Sequence, residues 1–436
     1  MFYKPQHPET GRMWDTWLYL HDGVYYLYYL AAGGEQWDNI SMARSPDGVH
    51  WSEMGPVLKK RPEATWMGTG STWKSPTHEA DGKFFMNFSE WVGPRQTIFF
   101  AESTDLVRWT RLGDELEFVQ DERWYEAEGR WDCIWTIPRP GGGLYGYWTA
   151  TPKAETGGRF GFGESIDGIT WESLEPPKVY GIGEGEVGAI ERIGGKYVMM
   201  FGAGGMHTLV ANGPKGPFHI AERNSVLLNG HTYFSRFLST ADDILVNHHS
   251  IMRNGEVYMG LIKRAILDDE GTVRLAYWLG NDKLKGEPVA IVIPSSAADT
   301  AKAISLPAPM FDVRRGLIIE GDLLRPVDGL PARGLYIECE AGSGTAILIN
   351  PNGSAEIGSI FADGSGFDRV FAEDRQIAFG QSVRFRLLLQ HSLLEFYLDD
   401  ILIECFSLPS DATGRIGLIA GGLAGAISNL AAWQAI

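Results

Sequence analysis

Glycine-led turns followed by alternating apolar and aromatic residues recur along the first two thirds of the chain. The copies are Asp22-Gly23-Val24-Tyr25-Tyr26, Asp81-Gly82-Lys83-Phe84-Phe85, Gly142-Gly143-Leu144-Tyr145-Gly146, Gly194-Gly195-Lys196-Tyr197-Val198 and Asn254-Gly255-Glu256-Val257-Tyr258. Side chains on a strand point alternately to its two faces, so each copy reads as a hairpin turn entering a half-buried strand. Successive glycines lie 59, 61, 52 and 60 residues apart, room for about four short strands with their turns. Five such units predict a five-bladed β-propeller.

A second repeat supports that reading. Ser45-Pro46-Asp47-Gly48-Val49-His50-Trp51 recurs as Ser103-Thr104-Asp105-Leu106-Val107-Arg108-Trp109 and as Ser165-Ile166-Asp167-Gly168-Ile169-Thr170-Trp171. The repeated aspartates suit Asx turns and the tryptophans suit packing between blades. Beyond Pro294-Ser295-Ser296-Ala297-Ala298-Asp299-Thr300 the pattern remains that of short strands but loses the repeat. Ser382-Val383-Arg384-Phe385-Arg386-Leu387-Leu388-Leu389 and Leu394-Glu395-Phe396-Tyr397-Leu398 flank a polar turn, the signature of a β-sandwich. The expected division is therefore an all-β chain: a propeller over 1–293, a linker over 294–311 and a sandwich over 312–436. Tryptophan follows the same line, with 13 of 15 at or before Trp171.

Composition narrows the function. The net charge of -17 lacks the electrostatic footprint of a nucleic-acid binder and repels anionic membrane surfaces. No apolar run is long enough to span a bilayer, and Met1-Phe2-Tyr3-Lys4-Pro5 does not open a signal peptide, so a cytoplasmic protein is expected. Cys133, Cys339 and Cys405 form neither a metal-ligand spacing nor a paired disulfide set. No metal or other cofactor is expected, and the oligomeric state is left open.

The repeat also converts sequence position into position around the propeller axis. Asp15 precedes Gly23 by eight residues, Asp132 precedes Gly143 by eleven and Glu186 precedes Gly195 by nine, so three blades aim a carboxylate at one funnel. Like charges held close resist joint ionisation, which is the asymmetry that glycoside cleavage uses: one carboxyl protonated, another ionised. Trp14, Trp17, Trp66, Trp73 and Trp131 lie beside these carboxylates or at the matching place in the second blade, and the apolar faces of sugar rings stack on such side chains. His249, at the corresponding offset of the fifth blade, and His231 and Arg236 in the preceding strand are further candidate sugar contacts. The adjacent His248 and His249 point to opposite faces of a strand, which argues against a two-histidine metal site. The expected partner is an oligosaccharide or small glycoside.

These segments resemble those of glycoside hydrolase family 32, the invertase, levanase and inulinase family. Trp14-Asp15-Thr16-Trp17, followed by the strand after Gly23, is similar to the family's Trp-Met-Asn-Asp-Pro-Asn-Gly opening. Trp66-Met67-Gly68-Thr69-Gly70-Ser71 resembles its Phe-Ser-Gly-Ser segment and brings Ser71 into the candidate site. Trp131-Asp132-Cys133 sits where the family has Arg-Asp-Pro, and Glu186-Val187-Gly188-Ala189-Ile190 where it has Glu-Cys-Pro-Asp-Leu. The resemblance covers nearly the whole chain and implies a retaining β-fructofuranosidase-like hydrolase, with Asp15 as nucleophile, Glu186 as general acid/base and Asp132 as transition-state stabiliser. Departures occur at Trp14 and Thr16 around the nucleophile, at Trp131 and Cys133 around the stabiliser, and at Leu30. They open the sugar to another furanoside and leave three alternatives: an inverting arabinofuranosidase- or xylosidase-like enzyme, a glycosyl-transferring enzyme, and an inactive carbohydrate-binding propeller.

Overall fold

The computed structural model describes residues 1–182, 184–221, 226–268, 271–292, 304–326, 332–373, 380–420 and 425–436. It divides into two compact units: Tyr3–His249 with Val257–Arg274, and Leu275–Ile436 with Met1–Phe2 and Ser250–Glu256.

The first unit is a ring of antiparallel sheets. Blade 1 runs Arg12–His21, Val24–Ala32, Asn39–Ser45 and Ser52–Lys59; blade 2 runs Trp66–Lys74, Phe84–Val92, Arg95–Ser103 and Thr110–Arg111. Blade 3 runs Trp131–Pro138, Leu144–Ala150, Gly161–Ser165 and Glu172–Ser173. Blade 4 runs Glu186–Ile193, Lys196–Gly202, Met206–Ala211 and Phe218–Ile220, with Val179–Tyr180 and Val226–Leu228 added at its flanks. Blade 5 begins with Thr232–Ser239 and continues with Ile244–Ile251 and Lys263–Leu267. The first, innermost strands of the five blades neighbour one another all round, that of blade 5 returning to that of blade 1. This closes the propeller, and each blade's inner edge is left short and protected at the centre of the ring.

Apolar layers between neighbouring blades hold the ring. Trp17, Tyr28, Met86, Phe88 and Trp109 fill the layer between blades 1 and 2, and Trp73, Phe100, Trp131, Trp148 and Trp171 the next. Asp47, Asp105 and Asp167 each accept backbone N–H groups two and three residues ahead through Oδ1, fixing equivalent turns in three blades.

Gly23, Gly82, Gly143 and Gly195 lie between the first and second strands of their blades, all at positive φ. The fifth glycine does not. Gly255 turns between Ile244–Ile251 and Val257–Met259, one strand further out. The inner hairpin of blade 5 spans Thr240 to Asp243, where the Thr240 side chain accepts the N–H groups of Asp242 and Asp243 at 3.3 and 2.9 Å. A threonine-built turn does the work a glycine does elsewhere.

The second unit is a sandwich. One sheet orders Ile401–Ser407, Leu393–Leu398, Ser382–Gln390, Leu317–Leu324, Ile427–Ala435 and Lys285–Val289; the other orders Asp368–Glu373, Ala355–Phe361, Ser343–Ile349, Arg333–Glu340 and Ile416–Ile419. Leu317, Ile319, Leu387 and Phe396 from one face meet Leu335, Ile337, Ile347 and Ile357 from the other in one apolar core. Lys285–Val289 pairs with the C-terminal strand through Lys285 and Ala435, so this unit takes in residues ahead of the expected 294–311 boundary. Of that expected linker, 294–303 lie outside the described residues, while Ser305 and Phe311 hydrogen-bond to Leu418 and Gly414. The Lys285–Val289 strand has no apolar alternation, which is why the sequence pattern does not announce it.

Candidate active site

Each of the first four inner strands carries a register break near its beginning: between Trp14 and Trp17, between Gly68 and Ser71, opposite Tyr147 and Thr149 in blade 3, and between Val187 and Ala189. A bulge re-aims side chains and leaves backbone groups outside the ladder. In blades 1, 3 and 4 the second strand of the preceding blade takes up such groups. Asn247 donates Nδ2 to the Thr16 carbonyl oxygen at 2.9 Å and to Thr16 Oγ1 at 2.8 Å. Asn87 donates to the Ile134 carbonyl oxygen and accepts the Ile134 N–H, both at 2.9 Å. The Val187 N–H donates to Thr149 Oγ1 at 2.9 Å. Asp15 (φ 45°) and Cys133 (φ 62°) sit in the left-handed region within these bulges, an uncommon state for residues other than glycine, asparagine and aspartate.

Three blades thereby bring Asp15, Asp132 and Glu186 into one electrostatic cluster. Arg130 ties two of them together, with Nη1 donating to Glu186 Oε1 at 2.7 Å and Nη2 to Asp132 Oδ2 at 3.2 Å. Tyr233 donates its hydroxyl to Glu186 Oε2 at 2.7 Å. Ser89 donates Oγ to Asp132 Oδ1 at 2.6 Å and accepts Gln96 Nε2 at 2.8 Å. Gly68 makes room for this pair, since a Cβ there would lie 2.2 Å from Ser89 Oγ and 2.7 Å from Asp132 Oδ1.

Asp15 differs from the other two. Its carboxylate accepts no hydrogen bond from any described residue, and its Oδ1 is buried. Burial, and next the negative charge of Glu186, push its carboxyl well above the ordinary range against the opposing charges of Arg236 and Arg130. Asp132 is raised as well, by burial, with Arg130 and Ser89 opposing. Burial pushes the Cys133 thiol up to about 12, so it stays neutral.

Among the sequence candidates, Trp14 borders the site. Its ring lies 4.2 Å from that of His249 and 6.4 Å from that of Tyr233. Trp66 stacks on Trp91 at 5.4 Å. His249 is fully buried with neither ring nitrogen hydrogen-bonded, and burial holds its pKa down to about 3. His231 is half-buried beside Asn229, which accepts its backbone N–H. Arg236 is fully buried, donating Nη2 to Cys133 Sγ at 2.8 Å.

Besides Arg236 and His249, whose full burial removes them from direct contact with a sugar, four expected contacts are corrected. Trp17 is buried on Tyr28 and donates Nε1 to Thr72 Oγ1, Trp73 packs against Phe100 and Trp171, and Trp131 is enclosed by Phe118, Tyr125 and Trp148. Ser71 is buried and donates to the Ile134 carbonyl oxygen. All four belong to the packing between blades: Trp131 lies on the strand face opposite its neighbour Asp132, and Trp17, Ser71 and Trp73 follow register breaks that change which side chains face inward. Sequence reasoning missed Arg130 and Tyr233. Arg130 carries a legible signal, a cation two residues before Asp132, the spacing that shares a strand face.

Residues 10–114 match the model of glycosyl hydrolases family 43. No curated protein matches by sequence. In structure, the chain is similar to a Bombyx mori family-32 β-fructofuranosidase variant in complex with sucrose, with a TM-score of 0.72 and 14% identity over 98% of this chain and 92% of that one. It is similar also to a Schwanniomyces occidentalis fructofuranosidase variant complexed with fructosylnystose, with a TM-score of 0.72 and 12% identity over 100% of this chain and 96% of that one. The chain shares their fold. A sucrose-6-phosphate hydrolase from Lactobacillus gasseri follows, with a TM-score of 0.71 and 13% identity over 98% and 91% of the two chains.

Proposed function

We propose that the protein is a glycoside hydrolase acting on β-fructofuranosides or a closely related furanoside with net retention. The observation that carries the role assignment is the difference in how the three carboxylates are held. Asp132 has one oxygen committed to Ser89 and the other to Arg130, and Glu186 has one committed to Arg130 and the other to Tyr233. Asp15 alone has no donor on its carboxylate among the described residues. A nucleophile needs a free lone pair, and this one has it.

In the first step Asp15 attacks the anomeric carbon while Glu186 gives its proton to the leaving oxygen. The covalent glycosyl-enzyme is then hydrolysed by a water that Glu186 deprotonates. Asp132, clamped in place, faces the positive charge that develops on the sugar ring. The solved structures of similar fold, captured with sucrose and with fructosylnystose, support the fructosyl choice. The test is a screen of aryl furanosides and short fructans with the released sugar identified. Release of fructose or another furanose is expected; cleavage confined to pyranosides, or no cleavage at all, overturns the proposal.

The family-43 match over residues 10–114 favours a second reading, an inverting furanosidase in which Asp15 activates a water as general base. The two readings part on product stereochemistry.

A further inference from the structure

Arg236 is a cation with no anion bound to it. It is fully buried and, among the described residues, forms no ion pair and spends its one hydrogen bond on the neutral sulfur of Cys133, with Nε and Nη1 finding no partner there. The rings of Phe234 and Trp135, 4.3 and 5.4 Å from its Cζ, attract the guanidinium through their faces but do not neutralise its charge. A buried charge that no counter-ion meets is costly, and the cost is retained where something else uses the field. Burial from solvent also removes Arg236 from direct contact with a sugar.

We propose that Arg236 is a positioning residue that keeps Asp15 ionised, acting through its charge from within the protein rather than on the substrate. The proposal rests on the reading of Asp15 as the attacking carboxylate. Glu186 and Asp132, from blades 4 and 3, oppose ionisation of Asp15, whereas Arg130 from blade 3 favours it. Arg130, however, is hydrogen-bonded to both opposing carboxylates and is largely neutralised by them. Tyr233 and Cys133 are held neutral by burial, and so is His249, the imidazole against Trp14. Among the described residues Arg236 is left as the uncommitted positive charge in this surround, on the inner strand of blade 5, Thr232–Ser239, that packs against the inner strand Arg12–His21 carrying Asp15, and its charge favours ionisation of Asp15. Cys133 suits that purpose: an aspartate there would take up the guanidinium charge, whereas a thiol accepts a hydrogen bond and leaves the charge free.

The test reads the ionisation of Asp15 without substrate. Unfolding temperatures are measured against pH for the parent and for Asp15→Asn, and again in an Arg236→Gln background. The gain from Asp15→Asn starts near zero below the ordinary carboxylate range and levels off at the pH where folded Asp15 has ionised. Loss of a nearby cation is expected to move that level-off point upward by about one pH unit or more, with Arg236→Lys falling between Gln and the parent. Should the Gln variant not fold, Arg236→Met replaces it, and the Lys variant alone still decides: a Lys level-off point at or below that of the parent overturns the proposal, as does an unmoved point in Gln or Met. The acid limb of kcat/KM should move in the same direction. A moved level-off point in a protein that cleaves no glycoside sinks the functional reading and not this one; active enzyme with an unmoved point sinks this one alone.

Discussion

Tyr233, on the inner strand of blade 5, donates its hydroxyl to Glu186 Oε2 at 2.7 Å. With Arg130 on Oε1, it fixes the orientation of the carboxyl assigned to proton donation. Tyr233→Phe leaves the ring and removes that donor. A hydrogen bond to a charged group contributes about 1.5–3 kcal/mol, so a loss on the order of 10- to 100-fold in kcat/KM is expected. Steady-state kinetics of the variant measure it, and an unchanged kcat/KM would place Tyr233 outside the machinery.

Glu186→Ala separates leaving groups. Only a poor leaving group needs the proton, so its cleavage should slow by about 10²–10⁴, while an activated aryl furanoside loses far less in glycosyl-enzyme formation. Pre-steady-state release of the two leaving groups makes the comparison. Equal losses on both contradict the role.

Asp15→Asn should trade activity for stability. Folding raises the Asp15 carboxyl, chiefly through burial, so the folded state binds its proton more tightly than the unfolded one. Its contribution is therefore favourable below the unfolded pKa and is lost as pH rises through the folded one. Asparagine removes that penalty. The variant should melt higher than the parent at neutral pH and match it below about pH 4, while losing on the order of 10⁴ or more in kcat. Thermal denaturation across pH tests the sign.

Gly68→Ala drives a methyl into the Ser89–Asp132 hydrogen bond, with contacts of 2.2 and 2.7 Å that the buried groups have little room to relieve. Overpacking of this kind costs about 1–3 kcal/mol. Lower thermal stability together with lower kcat is expected, measured on the same preparation; full activity would show that Asp132 is not held by this pair.

Much of this architecture is legible in the chain because hairpin glycines and strand alternation are local signals. Gly23, Gly82, Gly143 and Gly195 mark four inner hairpins directly. Blade 5 broke the pattern, since Thr240 closes its inner hairpin with a hydroxyl and Gly255 belongs to the next turn out. Counting back from Gly255 leads to His249 on the second strand, whereas counting back from Asp243 leads to Tyr233. Bulges account for Trp17 and Trp73. An extra residue after Trp14 and another after Gly68 shift which side chains face inward, and alternation in the sequence does not show where a ladder breaks. The clamps on those bulges, Asn247 on Thr16 and Asn87 on Ile134, join residues far apart in the chain and carry no local signature.

The stereochemistry of the first-formed product tests the central claim most directly. With methanol as acceptor, the glycoside formed early in the reaction is stable and its anomeric configuration can be read by NMR. A covalent intermediate on Asp15, opened from the face it occupied, predicts a methyl glycoside of the same configuration as the substrate. A product of inverted configuration, or water as the only acceptor with inversion at the anomeric carbon, would contradict the nucleophile assignment and make Asp15 a base acting through water.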